Sequence, residues 1–418
     1  MRIENIMLIF LMIAMIRPTF YMISYFYARI SDFIFTTIPL FVLLFLNVKK
    51  PKWIFLWIFL FISLITFSLL NALFKYSISI KDFAEIFRPF LIGTFFMMGF
   101  LYVGHKIDID NKLRKFFKFV VLLGVIHVVV AIFQFFFYEK SKVLYLIYSS
   151  INLYEQKRSS GIGYIHSEYS LITSFVSMAA YSLYILTNKI IYLILGFILL
   201  SFSVLSFSKG GLLVSSIFHL LALLFLLKKG SFIHKILYLI FFILALLLVF
   251  YFILTVDYLY HGFKALLELS YTYNKSILHR LEDIIIVKNM FMNTNNPLVF
   301  LIGFSPLRNY PEISYIEISI LNIFFRFGIL GILLYYMIFI FIPIYLFLKL
   351  KKIRYNCMYD KLKYIYGLCV IFSISVFLGD FVVTASETIK FTQLYSFYIG
   401  ILYGIIKKQD AARNCYIY

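Results

Sequence analysis

Six basic side chains stand out because the sequence sets them in or beside long apolar segments. They are Arg88, Arg158, Lys209, Arg280, Arg308 and Arg326. A cation at the centre of a bilayer costs about 3 kcal/mol on insertion scales, so such residues usually face a cavity and mark a ligand path. Arginine suits phosphate, since its planar fork makes two charge-assisted hydrogen bonds and stays ionised at physiological pH. We therefore expect an anionic ligand, such as a lipid-linked phosphate or diphosphate.

Acidic and imidazole side chains near the same segments are candidates for a general base. They are His166, Glu168, Glu282, Asp283 and Glu317. A carboxylate or imidazole within hydrogen-bond reach of a substrate hydroxyl can take its proton, although ion pairing or helix capping is the simpler role for each. Glu317 is favoured because it lies in an apolar segment, where an unpaired carboxylate is costly. Pairing with Arg280 or Arg326 would explain Glu317 equally well.

The elements that carry these residues are expected to be membrane helices. Hydrophobic residues fill 63% of the 418 positions and charged residues 14%, whereas soluble domains have about one half and one quarter. Several apolar runs approach the roughly 20 residues that cross a bilayer. We predict an all-α polytopic membrane protein, one domain over 1–418, with twelve helices near 4–21, 30–48, 53–73, 85–104, 116–138, 167–187, 190–207, 210–227, 235–256, 313–349, 364–380 and 386–406.

Topology explains much of the formal net charge of +20, which in a soluble protein would suggest nucleic acid. Lys and Arg cluster in alternate connections, as expected of cytoplasmic loops. The clusters lie at 49–52, 106–118, 228–235, 349–363 and 407–413. This pattern predicts that both termini are cytoplasmic, and no nucleic-acid partner is expected. Arg17 and Arg29, near the ends of apolar segments, are expected to reach lipid head groups.

The connection at 257–312 is much longer than the others and is predicted to be extracytoplasmic. Loops of this length are usually functional or disordered. Apolar residues recur at helical spacing over 276–293, which predicts an amphipathic helix lying against the bundle. Beyond this loop, the segment 313–349 is too long for one straight crossing, and Gly328 and Gly331 mark an expected bend.

The cysteines do not indicate a metal centre or a disulfide framework. Cys357, Cys369 and Cys415 have no paired spacing, and structural zinc sites and disulfide scaffolds both depend on such spacing. The sequence therefore predicts no metal and no cofactor.

Two short segments resemble the O-antigen polymerase and O-antigen ligase superfamily. Residues 158–169, RSSGIGYIHSEY, lead into a membrane helix and resemble that superfamily's Arg-x-x-Gly segment. Residues 206–211, SFSKGG, resemble its Ser-x-Ser-Arg-Gly turn, with Lys209 where arginine is commoner. A large loop follows two helices later, and 317–331, EISILNIFFRFGILG, resembles the helix that closes it. The resemblance extends over residues 80–350.

The sequence also departs from the superfamily's pattern. Ser305 stands where a second loop glycine is often found, and Lys209 keeps the charge of arginine without its bidentate geometry. Ligases of the superfamily carry a histidine motif where the loop re-enters the membrane, whereas this chain has Tyr315, Glu317 and Asn322 there. This difference favours a polymerase.

The resemblance implies a GT-C-like membrane glycosyltransferase of a bacterial cytoplasmic membrane. Such an enzyme joins repeat units linked to undecaprenyl or another polyprenyl diphosphate into capsular polysaccharide, lipopolysaccharide O-antigen or exopolysaccharide, without a metal. The implied diphosphate ligands are the six cations named above, with Arg158, Lys209 and Arg280 foremost, and the implied catalytic residues are Glu317, Arg280 and His166. Implied partners are membrane lipids, a chain-length regulator and a flippase.

Two alternatives remain open at this stage. An O-antigen ligase would transfer finished polysaccharide to a lipid core. A flippase or transporter of lipid-linked oligosaccharide would also have about twelve helices and a cationic cavity, but transporters of that kind generally have short loops and two related halves. This chain shows neither feature.

Overall fold

The computed structural model describes most of the chain. The described residues are 3–18, 33–34, 37–41, 43, 50–73, 84–104, 108–148, 159–163, 165–206, 208–228, 232–255, 275–294, 296–304, 316, 318–350, 358–381 and 388–415. Within these ranges the secondary structure is helical and contains no strand.

Fifteen helices are defined in the described ranges. They are α1 (Ile3–Ile16), α2 (Lys52–Leu73), α3 (Phe87–Val103), α4 (Ile109–Phe136), α5 (Lys142–Tyr148), α6 (His166–Thr187), α7 (Ile190–Phe202), α8 (Lys209–Leu226), α9 (Phe232–Thr255), α10 (Lys275–Met292), α11 (Leu298–Ile302), α12 (Ser319–Tyr336), α13 (Ile342–Leu350), α14 (Tyr359–Asp380) and α15 (Ile389–Cys415). Short 3₁₀ turns at Ala84–Ile86 and Ser203–Ser206 adjoin α3 and α7, and a π-helical turn at Met337–Phe341 joins α12 to α13.

Seven segments of the described chain are long and apolar enough to cross a membrane. They are Lys52–Leu70, Ile109–Phe136, His166–Thr187, Lys235–Thr255, Ser319–Leu350, Tyr359–Asp380 and Ile389–Gln409. Four shorter apolar helices accompany them. Because a bilayer admits only elements that satisfy their own backbone, such helices are what a membrane span requires. The chain is an all-α, multi-pass membrane protein.

Several predicted helices coincide with observed ones, and one begins earlier than predicted. Helix α4 begins at Ile109 rather than 116, because Asp108 caps it by accepting the N–H of Asn111 at 3.1 Å. The bend expected in the segment 313–349 is confirmed at Gly328, whose φ of 62° interrupts α12. The amphipathic helix predicted over 276–293 is confirmed as α10. Most of the predicted helix at 30–48 lies outside the described residues.

Helix α6 lies at the centre of the bundle although it is rich in hydroxyl side chains. It packs against α4, α7, α8 and α14, and its residues from Ser167 to Leu186 are all buried. Thr173 and Ser174 donate to the carbonyls four residues earlier at 2.8 Å, and Ser177 does the same at 3.1 Å. These internal bonds satisfy the hydroxyls of Thr173, Ser174 and Ser177 inside the bundle.

Helices α3 and α15 run parallel and pack at a pair of glycines. A Cβ on Gly99 would lie 1.8 Å from the carbonyl oxygen of Phe397, and a Cβ on Gly400 would lie 2.0 Å from that of Phe96. Small residues let membrane helices approach closely enough for backbone contact. This contact fixes the two helices in register.

Contacts define two ends of the bundle. At one end, here called the Lys112 end, Lys112 pairs with Glu4 at 2.8 Å, and Arg114 and Lys361 both donate to the carbonyl of Leu186. These contacts bring together the starts of α1, α4 and α14 and the end of α6. The opposite end, here called the Glu168 end, holds the starts of α6 and α15.

We expect Gly400→Ala to destabilise the protein by about 1–3 kcal/mol, as overpacking does in well-packed interiors. The added methyl group would enter the backbone of Phe96. The measurement is the thermal unfolding midpoint of purified protein, with Leu247→Ala as the control because Leu247 is 58% exposed. Equal midpoints for the two variants would contradict the close packing.

Candidate functional site

A buried face of α4 holds the segment Ser159–Gly163 in place. The Oε1 atom of Gln134 accepts the backbone N–H groups of Ser160 and Gly161, both at 2.9 Å. About two turns earlier on α4, Nδ1 of His127 accepts the N–H of Ile162 at 3.1 Å. Two side chains therefore satisfy three successive backbone donors that would otherwise be buried without partners.

His127 is a neutral hydrogen-bonding group in this arrangement. Because Nδ1 accepts from Ile162, the ring proton resides on Nε2, which lies 3.2 Å from the carbonyl oxygen of Tyr169. The imidazole also stacks on the Tyr169 ring, with centroids 4.6 Å apart. Gly161 lies against the imidazole of His127, and a Cβ on Gly161 would be 2.7 Å from that ring. The φ angle of Gly161 is 57°. Only glycine fits this position without strain.

The turn that follows α7 docks on the first turns of α6. The hydroxyls of Ser170 and Ser206 share a hydrogen bond of 2.8 Å. Ser208 caps α8 by accepting the N–H of Gly211 at 3.0 Å. A Cβ on Gly211 would lie 2.5 Å from Oγ of Ser170, so the start of α8 lies directly against α6.

Ser159 and Tyr169, in the first of the two segments that resemble the polymerase and ligase superfamily, contact residues that lie just before the second segment, 206–211. Ser159 donates its N–H to the carbonyl of Leu205 at 3.2 Å, and its hydroxyl donates to Ala131 at 3.0 Å. The Tyr169 hydroxyl donates to the carbonyl of Phe202 at 3.0 Å. Residues 33 and 46 positions apart in the sequence therefore meet at the beginning of α6.

Glu168 joins α6 to the beginning of α15. This buried carboxylate accepts the N–H groups of Lys390 at 2.8 Å and Phe391 at 3.3 Å through Oε1. A carboxylate at this position satisfies two helix-terminal donors and interacts favourably with the positive end of the helix dipole. The start of α15 is thus fixed against the start of α6.

Lys390 ties three further segments to the same place. Its Nζ donates to the carbonyl of Ile162 at 2.6 Å and to that of Arg17 at 2.9 Å. It also lies 5.2 Å from the centroid of the Tyr148 ring, within the range of cation–π attraction. Burial raises the pKa of the Tyr148 phenol, which keeps that ring neutral.

Two arginines pair with one buried carboxylate just before the start of α3. Glu85 pairs through Oε2 with Nε of Arg88 at 3.1 Å and through Oε1 with Nη1 of Arg326 at 3.7 Å. The backbone carbonyl of Arg326 accepts the hydroxyl of Ser68 at 3.1 Å. The cluster therefore links α2, the start of α3 and α12.

The register of α3 and α15 sets the two clusters at the same height. Arg88 precedes Phe96 by eight residues and Lys390 precedes Gly400 by ten, and Phe96 and Gly400 are in backbone contact. At a rise of about 1.5 Å per residue, the two basic residues differ in height by only about 3 Å. Arg88, Arg326 and Lys390 thus belong to the Glu168 end of the bundle.

A tight backbone contact also fixes the apolar segment α11 beside Arg326. A Cβ on Gly303 would lie 2.3 Å from the carbonyl of Arg326, and one on Gly328 would lie 2.4 Å from the carbonyl carbon of Leu301. The N–H of Phe304 donates to the carbonyl of Phe325 at 2.8 Å. The end of α11 therefore packs directly against the kink at Gly328.

Some of the sequence-predicted site residues lie together in the structure, some lie on separate helices, and others lie outside the described residues. It brings Arg88 and Arg326 together on Glu85, and it puts half-buried His166 at the first position of α6, two residues before Glu168. Half-buried Arg280 lies on α10, which contacts α12 through stacked Phe291 and Phe324. Lys209 begins α8, while its side chain and the whole of Arg158, Arg308 and Glu317 lie outside the described residues.

Several structural residues escaped the sequence-based prediction. Glu85 and Lys390 lie at or near the starts of the predicted helices 85–104 and 386–406 and were not among the candidate site residues. His127 and Gln134 are seven residues apart inside an apolar span and so share a helix face, which was a usable signal. The expectation that Arg17 reaches lipid head groups was wrong, because its side chain is only 4% exposed and lies inside the bundle. Arg29 lies outside the described residues.

Comparisons with known proteins identify no relative. No protein-family model matches the chain, and neither a curated protein nor a solved structure does. Within the described residues, no three His, Cys, Asp or Glu side chains gather in a way that could hold a metal ion. The functional assignment therefore depends on the geometry of the Glu168 end and on the sequence resemblance.

We expect Gln134→Leu to destabilise the protein by about 1–3 kcal/mol, because it leaves the N–H groups of Ser160 and Gly161 buried without acceptors. Gln393→Leu is the matched control. Gln393 is equally buried, but its amide atoms have no hydrogen-bond partner in the described structure. Its replacement should be neutral or stabilising. Thermal midpoints and hydrogen exchange at 159–163 distinguish the variants, and equal losses of stability in both would contradict the role of Gln134 as acceptor for Ser160 and Gly161.

A double-mutant cycle tests the arginine cluster. Glu85→Gln, Arg326→Gln and the double variant should give a coupling free energy above about 1 kcal/mol, because the pair is buried. Asp110 and Arg114 form the comparison pair, since both side chains are about one-third exposed and exposed pairs couple by less than about 1 kcal/mol. The measurement is the unfolding free energy of each purified variant. A weaker coupling at Glu85 than at Asp110 would refute the cluster.

Proposed function

We propose that this protein is a polysaccharide polymerase of the bacterial cytoplasmic membrane. It would join polyprenyl-diphosphate-linked oligosaccharide repeat units into capsular, O-antigen or exopolysaccharide at the outer face of that membrane. In this proposal the chain has twelve spans, a GT-C-like arrangement, an extracytoplasmic loop over 257–312 and both termini in the cytoplasm.

One observation carries the proposal. The two segments that resemble the polymerase and ligase superfamily both lie at the first turns of α6, where Ser159 donates to Leu205 and Ser206 bonds to Ser170. The same end of the bundle holds Arg88, Arg326 and Lys390. Gathered cations favour an anionic ligand, and a cation cluster within a bundle of apolar helices favours one attached to the membrane.

The proposed topology agrees with the arrangement of charges. The Lys112 end gathers basic residues of α4 and α14, as the positive-inside rule expects of a cytoplasmic surface. The Glu168 end would then face outward. Polyprenyl-linked repeat units that have crossed the membrane would reach the site from the outer leaflet.

The chemistry needs a base and fixed positive charge. A hydroxyl of one repeat unit attacks the anomeric carbon that carries the diphosphate, a new carbon–oxygen bond forms, and the bond to the diphosphate breaks. The hydroxyl proton passes to a base, for which Glu317 is the first candidate and His166 the second. Guanidinium groups stabilise the negative charge that develops on the leaving diphosphate. In the proposal Arg158, Lys209 and Arg280 take this role, supported by Arg88, Arg308 and Arg326.

Deleting the gene tests the proposal in cells. We expect the ladder of surface polysaccharide on a gel to collapse to single repeat units on the lipid carrier at the outer face. Repeat units trapped at the cytoplasmic face would indicate a flippase instead. Full-length polymer that stays on its lipid carrier would indicate a ligase.

Point variants localise the activity. Arg158→Gln and Arg88→Gln should each reduce polymer by at least about tenfold, since loss of one preorganised charge contact costs about 2–4 kcal/mol of transition-state stabilisation. Arg114→Gln is the control, because Arg114 lies at the Lys112 end and is partly exposed. Polymer yield is measured against the amount of protein in the membrane. Normal polymer in both site variants would contradict the assignment.

A further inference from the structure

Helix α10 exposes an apolar face although it is not among the candidate spans. Leu278, Leu281, Ile284, Ile285 and Met292 are between 38% and 73% exposed. Its sequence, KSILHRLEDIIIVKNMFM, carries five formally charged residues within 18 positions. In a helix that simply faced water, this apolar surface would have no favourable contact.

The exposed apolar residues and the buried residues of α10 occupy different parts of the helix circumference. Asp283, Val287 and Phe291 recur every four residues and are almost completely buried. At about 100° per residue, the five exposed apolar side chains occupy an arc of roughly 120°, whose centre is turned about 120° from the centre of that buried stripe. Glu282 and Asn289 lie at the edge of this arc and are themselves exposed.

The buried stripe attaches α10 firmly to the bundle. Phe291 stacks on Phe324 of α12 with ring centroids 4.6 Å apart, and it meets the Phe304 ring edge-on at 4.8 Å. Val287 and Phe291 also share an apolar cluster with Val299 and Phe325. The outward direction of the apolar arc is therefore fixed by the structure.

The apolar arc is continuous with surface that a membrane span presents to lipid. Leu298, Phe300 and Leu301 of α11 follow α10 in the chain and are between 39% and 56% exposed. Leu301 contacts the kink at Gly328, and the residues just after that kink continue the exposed apolar surface. They are Ile329, Leu330 and Leu333, each at least 40% exposed, in the candidate span Ser319–Leu350.

We propose that α10 is an interfacial helix whose apolar arc inserts into the lipid bilayer surface. Helices of this kind lie with the apolar side about 5–10 Å into the boundary between head groups and acyl chains. Lys288, which lies within the arc, extends its ammonium to the head groups. The occupant of the arc is lipid, because the same apolar surface continues onto a membrane span.

This placement orients the other side of α10. Arg280 precedes Asp283 by three residues and Val287 by seven, so it lies on the helix face that is directed toward the protein. A helix held at the lipid surface by one face thus presents Arg280 on the other. The inference depends on the membrane character of the chain and holds whether or not the polymerase proposal is correct.

Spin labels on the full-length protein in phosphatidylcholine and phosphatidylglycerol nanodiscs test the placement. One label is carried by Ile285→Cys and the control by Glu282→Cys, three residues away on the polar edge. Cys357→Ser and Cys415→Ser remove two native thiols. Buried Cys369 is retained, and protein without an introduced cysteine serves to measure background labelling.

For each label, the measured quantity is the ratio of its collision rate with oxygen to its collision rate with a water-soluble nickel complex. We expect this ratio to be several-fold larger at Ile285 than at Glu282. The ratio should correspond to a depth of about 5–10 Å below the lipid phosphates. Equal ratios would overturn the proposal in favour of an aqueous face, and protection from both reagents would overturn it in favour of a protein partner. Met292→Cys repeats the test at a 73% exposed position if Ile285→Cys fails to fold.

Discussion

A backbone group inside a membrane bundle has no water to bind, so every turn buried there must find its partners within the protein. The first turns of α6 meet this requirement for several segments at once. Glu168 satisfies the start of α15, and Ser170 binds the turn before α8. His127 and Gln134, on α4, satisfy the segment that leads into α6. Because these bonds share one location, none of the segments can move without exposing polar groups of another.

The sequence predicted the helices well and their meeting place poorly. Apolar runs bounded by charge give helix positions directly, since a span needs about 20 apolar residues. Which polar residues meet depends on helix packing, and that is decided by contacts such as Gly99 with Phe397 and Gly400 with Phe96. The pairing of Arg326 with Glu85, 241 positions away in the chain, has no local signal. Glu317, the favoured base, lies outside the described residues.

The charges at the two ends of the bundle serve different physical purposes. At the Lys112 end, Arg114 and Lys361 bind the carbonyl of Leu186, where cations complement the negative end of a helix dipole. At the Glu168 end, two arginines pair with buried Glu85, the Lys390 ammonium donates to backbone carbonyls, and the starts of parallel helices α3 and α15 lie side by side. Helix N-termini and guanidinium groups both favour anions. This asymmetry is the physical basis of the proposal that an anionic, lipid-linked substrate reacts at the Glu168 end.

Reconstitution tests the central proposal most directly. Purified protein in nanodiscs is given the polyprenyl-diphosphate-linked repeat unit from its own host, in the presence of a metal chelator, and the products are separated by mass. The account predicts glycans of two or more repeat units, with one polyprenyl diphosphate released for each new linkage. Repeat units that remain single and undepleted, with protein that is folded and lipid-bound, would contradict it.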